Sequence, residues 1–240
     1  MVEMEKARGL GKTKLATLKA ISESYLGAVS DQDLNCQMLV EYAVWRLGPE
    51  GGGVLPQTAG NDMAHLGAVL SIARPAWGYE VDPQVMGNAR KVLRKLGYNM
   101  RSRERDRRPT LDELDRLLEY FQSIQDRRPT SINMLKMTAF ALFSTRRQEE
   151  ITRIKWADLD AEGSRVLVRD MKNPGQKIGN DVWCHLPPEA LAILQSMPKT
   201  VDVIFPYSAE STSASWTRAC KFLGIIELHL HDLRHAGVRR

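Results

Sequence analysis

Apolar residues recur at three- and four-residue spacing through the first hundred positions, the pattern of amphipathic helices. Between Lys14 and Leu26 the apolar stripe is Leu15, Leu18, Ile21, Tyr25 and Leu26. Asp31 or Asp33 is placed to cap a second helix bearing Leu34, Met38, Leu39, Tyr42 and Trp45, which Gly48, Pro49 and Gly51–Gly53 break. A third helix is predicted from about Thr58 to Ala73, with Met63, Leu66, Val69 and Leu70 on one side. Pro75, Gly78 and Pro83 mark a loop. A fourth helix, from about Pro83 to Leu96, ends at Gly97, a residue that accepts the left-handed conformation common at helix C-termini.

The stretch from Tyr98 to Pro109 is poor in apolar residues and dense in charge, and it reads as a linker. Thr110-Leu-Asp-Glu113 then has the spacing of a capping box ahead of an apolar run. Helices are predicted at about 111–125, 131–143 and 147–155. Beyond them the residue types change. Arg165–Arg169 and Asp181–Leu186 are rich in β-formers, and the turn-rich Met171–Asn180 joins them as a hairpin with a long loop. Pro188–Met197, Ser211–Leu223 and the stretch from His231 return to helical spacing. The predicted fold class is mainly α with a small β-hairpin or sheet. A four-helix domain covers 1–98, a linker 99–109, and an α+β domain 110–240.

Composition places this pattern in an ordinary globular protein. Of 240 residues, 43% are apolar and 26% charged, enough to bury a core and too evenly mixed for a fibrous or disordered chain. No apolar run reaches the roughly 18–20 residues of a membrane span, and the charged start carries no apolar signal segment. The three cysteines, Cys36, Cys184 and Cys220, are odd in number and far apart. They argue against a disulfide framework and for a reducing, cytoplasmic compartment.

The net charge of +5 says little until its distribution is read. Arg90, Lys91, Arg94, Lys95, Arg101, Arg103, Arg105, Arg107 and Arg108 fall within 19 residues, opposed only by Glu104 and Asp106. This window is +7, and the rest of the chain is −2. Cations strung along a linker neutralise phosphates and release counterions, so all nine are expected to contact DNA.

Three further groups could carry chemistry. Arg146 and Arg147 sit at a predicted helix–turn–helix junction. Lys172 lies in the hairpin loop, with Lys177 as a competing candidate. His229, His231, Arg234 and His235 crowd seven residues. His231 and Arg234 are i,i+3 and share a helix face, where a paired imidazole and guanidinium can grip a phosphate and move its protons. His231 and His235 are i,i+4, a spacing that also suits a metal ion, although no carboxylate or cysteine stands at a compelling distance in sequence.

In this order and spacing, Arg147, a hairpin Lys172 and His231-Asp-Leu-Arg234-His235 resemble the tyrosine recombinase (phage integrase) family. Ser144–Asp160 resembles the family's Thr-Gly-x-Arg-x-x-Glu-Ile … Leu-x-Trp-x-Asp segment, with Arg147 at its first catalytic arginine and Glu150 at its acidic position. Ile204-Phe-Pro206 resembles the segment before the family's next helix. Thr145 stands where the family has glycine, and Arg146 where it has an apolar residue. The resemblance is strongest over 108–240. Residues 12–98 resemble the family's core-binding domain.

The resemblance implies a reaction. A tyrosine attacks a DNA phosphodiester, frees a 5′-hydroxyl and leaves the protein joined to a 3′-phosphate. A 5′-hydroxyl of another strand reverses the step, so no metal or other cofactor is needed. It also implies roles. Arg147 and Arg234 hold the phosphoryl oxygens, Lys172 protonates the leaving 5′-oxygen, His231 shares the attacking proton, and Glu150 and His235 support them. The implied partner is double-stranded DNA at recombination or attachment sites, bound by a homo-oligomer, with no membrane association. The implied source is a phage, prophage or other mobile element, and the implied location the bacterial nucleoid.

In the family the nucleophile follows the His-x-x-Arg helix. Here all six tyrosines, Tyr25, Tyr42, Tyr79, Tyr98, Tyr120 and Tyr207, precede His231. Tyr207 reads as a partly buried aromatic, not a nucleophile. The expectation is a catalytic domain incomplete at its C-terminus, whose 240 residues bind DNA without cleaving it. Two other readings stay open: a non-enzymatic DNA-binding protein on the same scaffold, and a metal-binding protein using His229, His231 and His235.

Overall fold

The computed structural model describes residues 11–101, 106–172 and 179–237. Arg103, Arg105 and Lys177 lie outside the described residues. The chain divides into two compact units between Glu104 and Arg105.

In the first unit, α1 (Lys12–Ser22), α2 (Cys36–Leu47), α3 (Pro56–Trp77) and α4 (Val85–Lys95) enclose a core of Leu39, Tyr42, Met63, Val69 and Leu93. Three boundaries differ from the sequence expectation. Helix α1 stops at Ser22 because Ser24 takes the next turn, its Oγ accepting from the Leu26 N–H at 3.3 Å to open a short 3₁₀ turn at Tyr25–Ala28. Helix α2 is capped by Asn35, whose Oδ1 accepts from the Met38 N–H at 3.1 Å. Asp31 instead accepts from the Glu80 N–H, at 3.1 Å, and ties two loops together. Helix α3 runs through Pro75 to Trp77. So near the helix end the proline removes only one ladder bond, and Gly78 at φ +74° closes the turn with its N–H on the Arg74 carbonyl, 2.9 Å away.

Helix α4 ends as its glycine foretells. Gly97 sits at φ +85°, its N–H reaches the Arg94 carbonyl, and the Tyr98 N–H reaches that of Leu93 at 2.9 Å, a Schellman closure. Inside the unit Arg46 meets the buried Asp62 at 2.8 Å. Burial beside Asp62 pushes the Tyr42 hydroxyl up to about 12.

The second unit runs α5 (Leu111–Arg127), α6 (Met134–Ser144), α7 (Gln148–Ile151), β1 (Leu159–Asp160), β2 (Arg165–Val168), β3 (Val182–His185), α8 (Pro188–Gln195), α9 (Ala209–Phe222) and α10 (Asp232–Gly237). The three strands form one antiparallel sheet in the order β1-β2-β3, with Leu159 opposite Val166 and Val166 opposite Cys184. Helix α6 is apolar nearly all round. Its Met137, Phe140 and Ala141 are buried among Ile151, Val166, Leu194, Phe205 and Trp216, so it forms the axis of the unit.

The capping box is present: Thr110 Oγ1 accepts from the Glu113 N–H at 3.1 Å, and Glu113 Oε2 from the Thr110 N–H at 2.8 Å. Two elements differ. The helix expected at 147–155 is the single turn α7, because beyond it the chain pairs sideways, the Ile204 N–H with the Ile154 carbonyl at 2.9 Å and the Trp156 N–H with that of Asp202 at 2.9 Å. Strand β1, two residues long, is too short to show a period. Asp160 makes it by turning the chain, accepting from the Gly163 N–H and from Arg165 Nε, both at 2.8 Å.

Arg107 belongs to this unit's framework. Its guanidinium forks onto Glu113, with Nη1–Oε2 at 3.0 Å, and reaches the Ile226 carbonyl at 3.4 Å. Both side chains are largely covered, at 28% and 17% exposure. The pair holds the Glu113 carboxyl below its usual range, chiefly through the hydrogen bonds from Arg107. A depressed carboxyl contributes stability above its unfolded pKa and loses it as pH falls through the folded value. Arg107→Ala should therefore lower unfolding stability at neutral pH by about 1–3 kcal/mol. The deficit should start to shrink as pH falls below about 4 and vanish only where Glu113 is protonated in both proteins. Urea midpoints measured across pH test this, and equal midpoints at pH 7 would refute it.

Candidate functional site

The site is built where the apolar axis helix meets charge. Helix α6 stops because Thr145 turns left-handed (φ 55°, ψ 22°), its N–H still on the Ala141 carbonyl at 3.1 Å. Arg146 and Arg147 follow at once, and Arg147 in extended conformation opens α7. Glu150, one turn on and buried, answers twice. One carboxylate oxygen accepts from the Arg147 N–H at 3.0 Å and the other from Arg147 Nη1 at 2.8 Å. This leaves the Arg147 guanidinium fixed on one edge and open on the other, one third exposed.

Helix α10 brings the second half. Asp232, buried, starts it by accepting from the His229 N–H at 2.8 Å. At its other end Gly237 lies on the end of α6. A Cβ there would stand 2.2 Å from the Leu142 carbonyl oxygen and 2.8 Å from Thr145 Cγ2. Only a glycine permits that approach. The approach sets His231 and Arg234 into the field of Arg147. Burial, then the charge of Arg147, pushes the Arg234 guanidinium below its ordinary range, while Glu150 pulls the other way. Partial burial, then His235 and Arg234, holds the His231 imidazole below its ordinary value, so it is neutral at pH 7. The two imidazoles, His231 and His235, meet edge to face with ring centres 5.6 Å apart.

The structure thus gathers Arg147, Glu150, His231, Arg234 and His235. It adds Arg146, a candidate beside Arg147 to which the family resemblance gives no role. Arg146 Nη1 donates to Cys184 Sγ at 3.2 Å and Nε to the Ser144 carbonyl at 3.0 Å, and its charge is also felt at Arg234. The signal lay in the side chain beside Arg147: a cation at a half-buried turn needs acceptors, and the sequence shows only one cysteine on the facing strand. Burial raises the Cys184 thiol, and the other cysteines are likewise free.

Lys172 is not gathered. It is exposed, just past the point where the Met171 N–H meets the Asn180 carbonyl at 2.8 Å and closes the base of the hairpin. It has no hydrogen-bond or ion-pair partner among the described residues.

The basic window divides by role. Lys91, Arg94, Lys95 and Arg101 are exposed. Arg94 and Arg101 line, with Tyr98 and Asn99, a concavity of about 810 Å³ against Gly60. Arg90 is exposed as well and lines the same concavity, with its Nη2 donating to the Met63 carbonyl at 3.0 Å. Arg107 is committed to Glu113, and Arg108 pairs with Asp106 at 2.6 Å.

Tyr207 is held away from this chemistry, its hydroxyl accepting from the Asn133 N–H at 3.1 Å. Tyr120 packs on Phe121 and Phe222. Among the described residues no three His, Cys, Asp or Glu side chains are grouped to hold a metal ion, so the metal-binding reading has no ligand set there. No helix among them is long and apolar enough to cross a membrane.

Chemically, Arg146 and Arg147 lie in the field of Arg234, with Glu150, paired to Arg147, the buried carboxylate among them. Guanidiniums keep their charge and present forked donors, so the arrangement suits a phosphate.

Known proteins share this build. The shufflon-specific DNA recombinase of Escherichia coli is 29% identical over 191 residues, covering 79% of this chain and 45% of the relative. The chain therefore spans less than half the length of that curated relative. Among solved structures, a lambda integrase tetramer bound to a Holliday junction superposes with a TM-score of 0.67 at 17% identity, over 99% of this chain and 69% of that one. The Tn1549 transposon integrase in complex with transposon right end DNA gives 0.68 at 15% identity, over 98% and 83%. At such identities the likeness is one of fold. The model of the phage integrase family matches residues 107–239, more than half of the chain and the whole of the arginine and histidine cluster. The chain belongs to the phage integrase family, that of the tyrosine recombinases.

Proposed function

We propose that this protein binds double-stranded DNA at recombination sites, and that the cluster around Arg147 is the phosphate-holding part of a recombinase active site. The observation that carries the reading is the pairing of Arg147 and Arg234, two guanidiniums in each other's field with Glu150 as the buried counter-charge. Two guanidiniums over one carboxylate leave a positive charge unmatched, and a phosphodiester supplies an anion with the right fork geometry.

Each group has work suited to its surroundings. Arg147 and Arg234 stabilise the charge that collects on the non-bridging oxygens as phosphorus becomes five-coordinate. His231, neutral at pH 7, can accept or share the proton of an attacking hydroxyl. Lys172, exposed at the mouth of the hairpin, can follow the DNA and protonate a leaving 5′-oxygen. Glu150 fixes Arg147, and His235 meets His231 edge to face. The lambda integrase neighbours were seen as a dimer on a core site and as a tetramer on a junction. We extend DNA binding as a homo-oligomer to this chain on that basis. In the same reading residues 1–98 grip DNA as a core-binding domain, 99–109 link it to the rest, and 110–240 carry the chemistry.

Neither tyrosine among the described residues of the second unit stands beside the cluster, since Tyr207 and Tyr120 are engaged elsewhere. The 240-residue polypeptide is accordingly assigned DNA binding without strand cleavage of its own. This also supports a second reading, a non-enzymatic occupant of recombination sites.

Arg147→Ala and Arg234→Ala should each weaken binding of a duplex by about tenfold, since each removes one charge-assisted fork to phosphate. Lysine at either position should recover only part of it, because a point charge does not replace a fork. Mobility shifts on duplex DNA test this, and unchanged affinity in both alanine variants would remove the cluster from the interface. A nicked suicide duplex incubated with the 240-residue chain should yield no covalent adduct. A band that survives denaturation and resists salt would overturn the cleavage assignment.

The basic window makes a sharper test. Neutralising Lys91, Arg94, Lys95 and Arg101 together should flatten the log K against log salt slope by up to about 0.9 for each phosphate no longer neutralised. Arg107→Ala should leave that slope alone, since its guanidinium is already committed to Glu113. An equal flattening in both proteins would show that the buried pairing opens to DNA.

A further inference from the structure

Thr145 is a β-branched residue in left-handed backbone, at φ 55°. Such residues avoid that region because Cβ crowds the carbonyl oxygen, and they persist there only when the surroundings hold them. Two groups hold this one. On one side is Gly237, close enough that a Cβ would meet Thr145 Cγ2 at 2.8 Å. On the other is Arg146. Its guanidinium donates from Nε to the Ser144 carbonyl at 3.0 Å, from Nη2 to Thr145 Oγ1 at 3.4 Å, and from Nη1 to Cys184 Sγ on β3 at 3.2 Å. Its own backbone N–H reaches Ser144 Oγ at 3.3 Å. One side chain therefore binds the residue before the strained position, the strained residue itself and the neighbouring sheet.

We propose that Arg146 is a positioning residue: its guanidinium clips the left-handed Thr145 turn to strand β3 and so fixes the direction in which Arg147 leaves α6. A charge at this place could instead act by reaching phosphate directly, and the two roles differ in what they require. The clip needs a planar fork with three donors in fixed directions. A phosphate contact needs only positive charge. A lysine keeps the charge and loses the fork. Glycine at 145 removes the strain and makes the clip dispensable.

The proposal rests on the reading of the Arg147 cluster as a phosphate site, and the test separates the two. Arg146→Lys, Arg146→Leu, Thr145→Gly and the two corresponding double variants are made in the 240-residue chain. Each is measured for duplex-DNA affinity across salt concentrations and for thermal unfolding. Arg146→Lys and Arg146→Leu should both bind about tenfold more weakly, with a salt slope shallower by about 0.9, the share of one phosphate. Adding Thr145→Gly should bring both back to within about twofold of the parent. In unfolding, Arg146→Leu should lower the midpoint by roughly 3 °C beside Thr145, and by much less beside glycine. Cys184→Val should give a smaller decrease of the same kind, and Cys184→Ser, which keeps an acceptor, should give none.

Parent-like binding by Arg146→Lys would overturn the clip in favour of charge. Failure of Thr145→Gly to rescue would show that the turn is not what Arg146 holds. A parent chain that binds no DNA would sink the phosphate-site reading. The unfolding cycle would still decide on the clip, additive shifts counting against it and coupled shifts for it.

Discussion

The second unit depends on one close approach, that of Gly237 to the last turn of α6. Helix α6 is the axis of the core, and its C-terminal carbonyls are where an apolar helix must give way to polar surroundings. A side chain at 237 would collide with the Leu142 carbonyl. Its absence lets α10 lie against the turn that follows. Two segments nearly ninety residues apart in sequence thereby meet end to end, one carrying Arg147 and the other His231 and Arg234. Glu150 and Asp232, both buried, hold the two ends by accepting backbone N–H groups. Each carboxylate serves at once as a helix cap and as a counter-charge to the cations around it.

The electrostatics follow from that meeting. Guanidiniums brought into one another's field repel, and their proximity is tolerable because they remain partly hydrated and because Glu150 is buried beneath Arg147. The imidazole of His231 responds in the opposite sense to the usual exposed histidine, since every neighbour but Asp232 disfavours its charge.

Much of this was legible in the sequence because local chemistry dictates it. The Thr110–Glu113 capping box, the Gly97 helix end and the β2–β3 pairing each rest on a few adjacent residues whose propensities agree. The meeting of Arg147, His231 and Arg234 was legible too, through their spacing, whereas Lys172, read from the same spacing, stands apart from them. The unreadable parts are those decided by distant partners. Asn35 took the cap expected of Asp31 because Asp31 had a backbone N–H to satisfy across two loops. Helix α7 stopped after one turn because Ile154 and Trp156 found partners near Ile204. The basic window looked uniform in sequence, yet Arg90 and Arg107 already have acceptors within the protein, the Met63 carbonyl and the Glu113 carboxylate, that lie 27 and 6 residues away along the chain. Arg146 stood out only as the neighbour of Arg147, because its most distant acceptor lies 38 residues away on β3.

The Arg107–Glu113 fork also bears on where the second unit can be cut from the chain. By its apolar pattern the unit starts at Thr110, the cap of α5. By its hydrogen bonds it starts earlier, because Glu113 serves two donors at once, the Thr110 backbone ahead of it and the guanidinium of Arg107. A fragment begun at the cap would keep the helix signal and lose the side chain that joins the first helix to the Ile226 carbonyl, a few residues before the histidine cluster. The smallest self-sufficient piece is therefore set by an arginine that composition alone assigns to the linker.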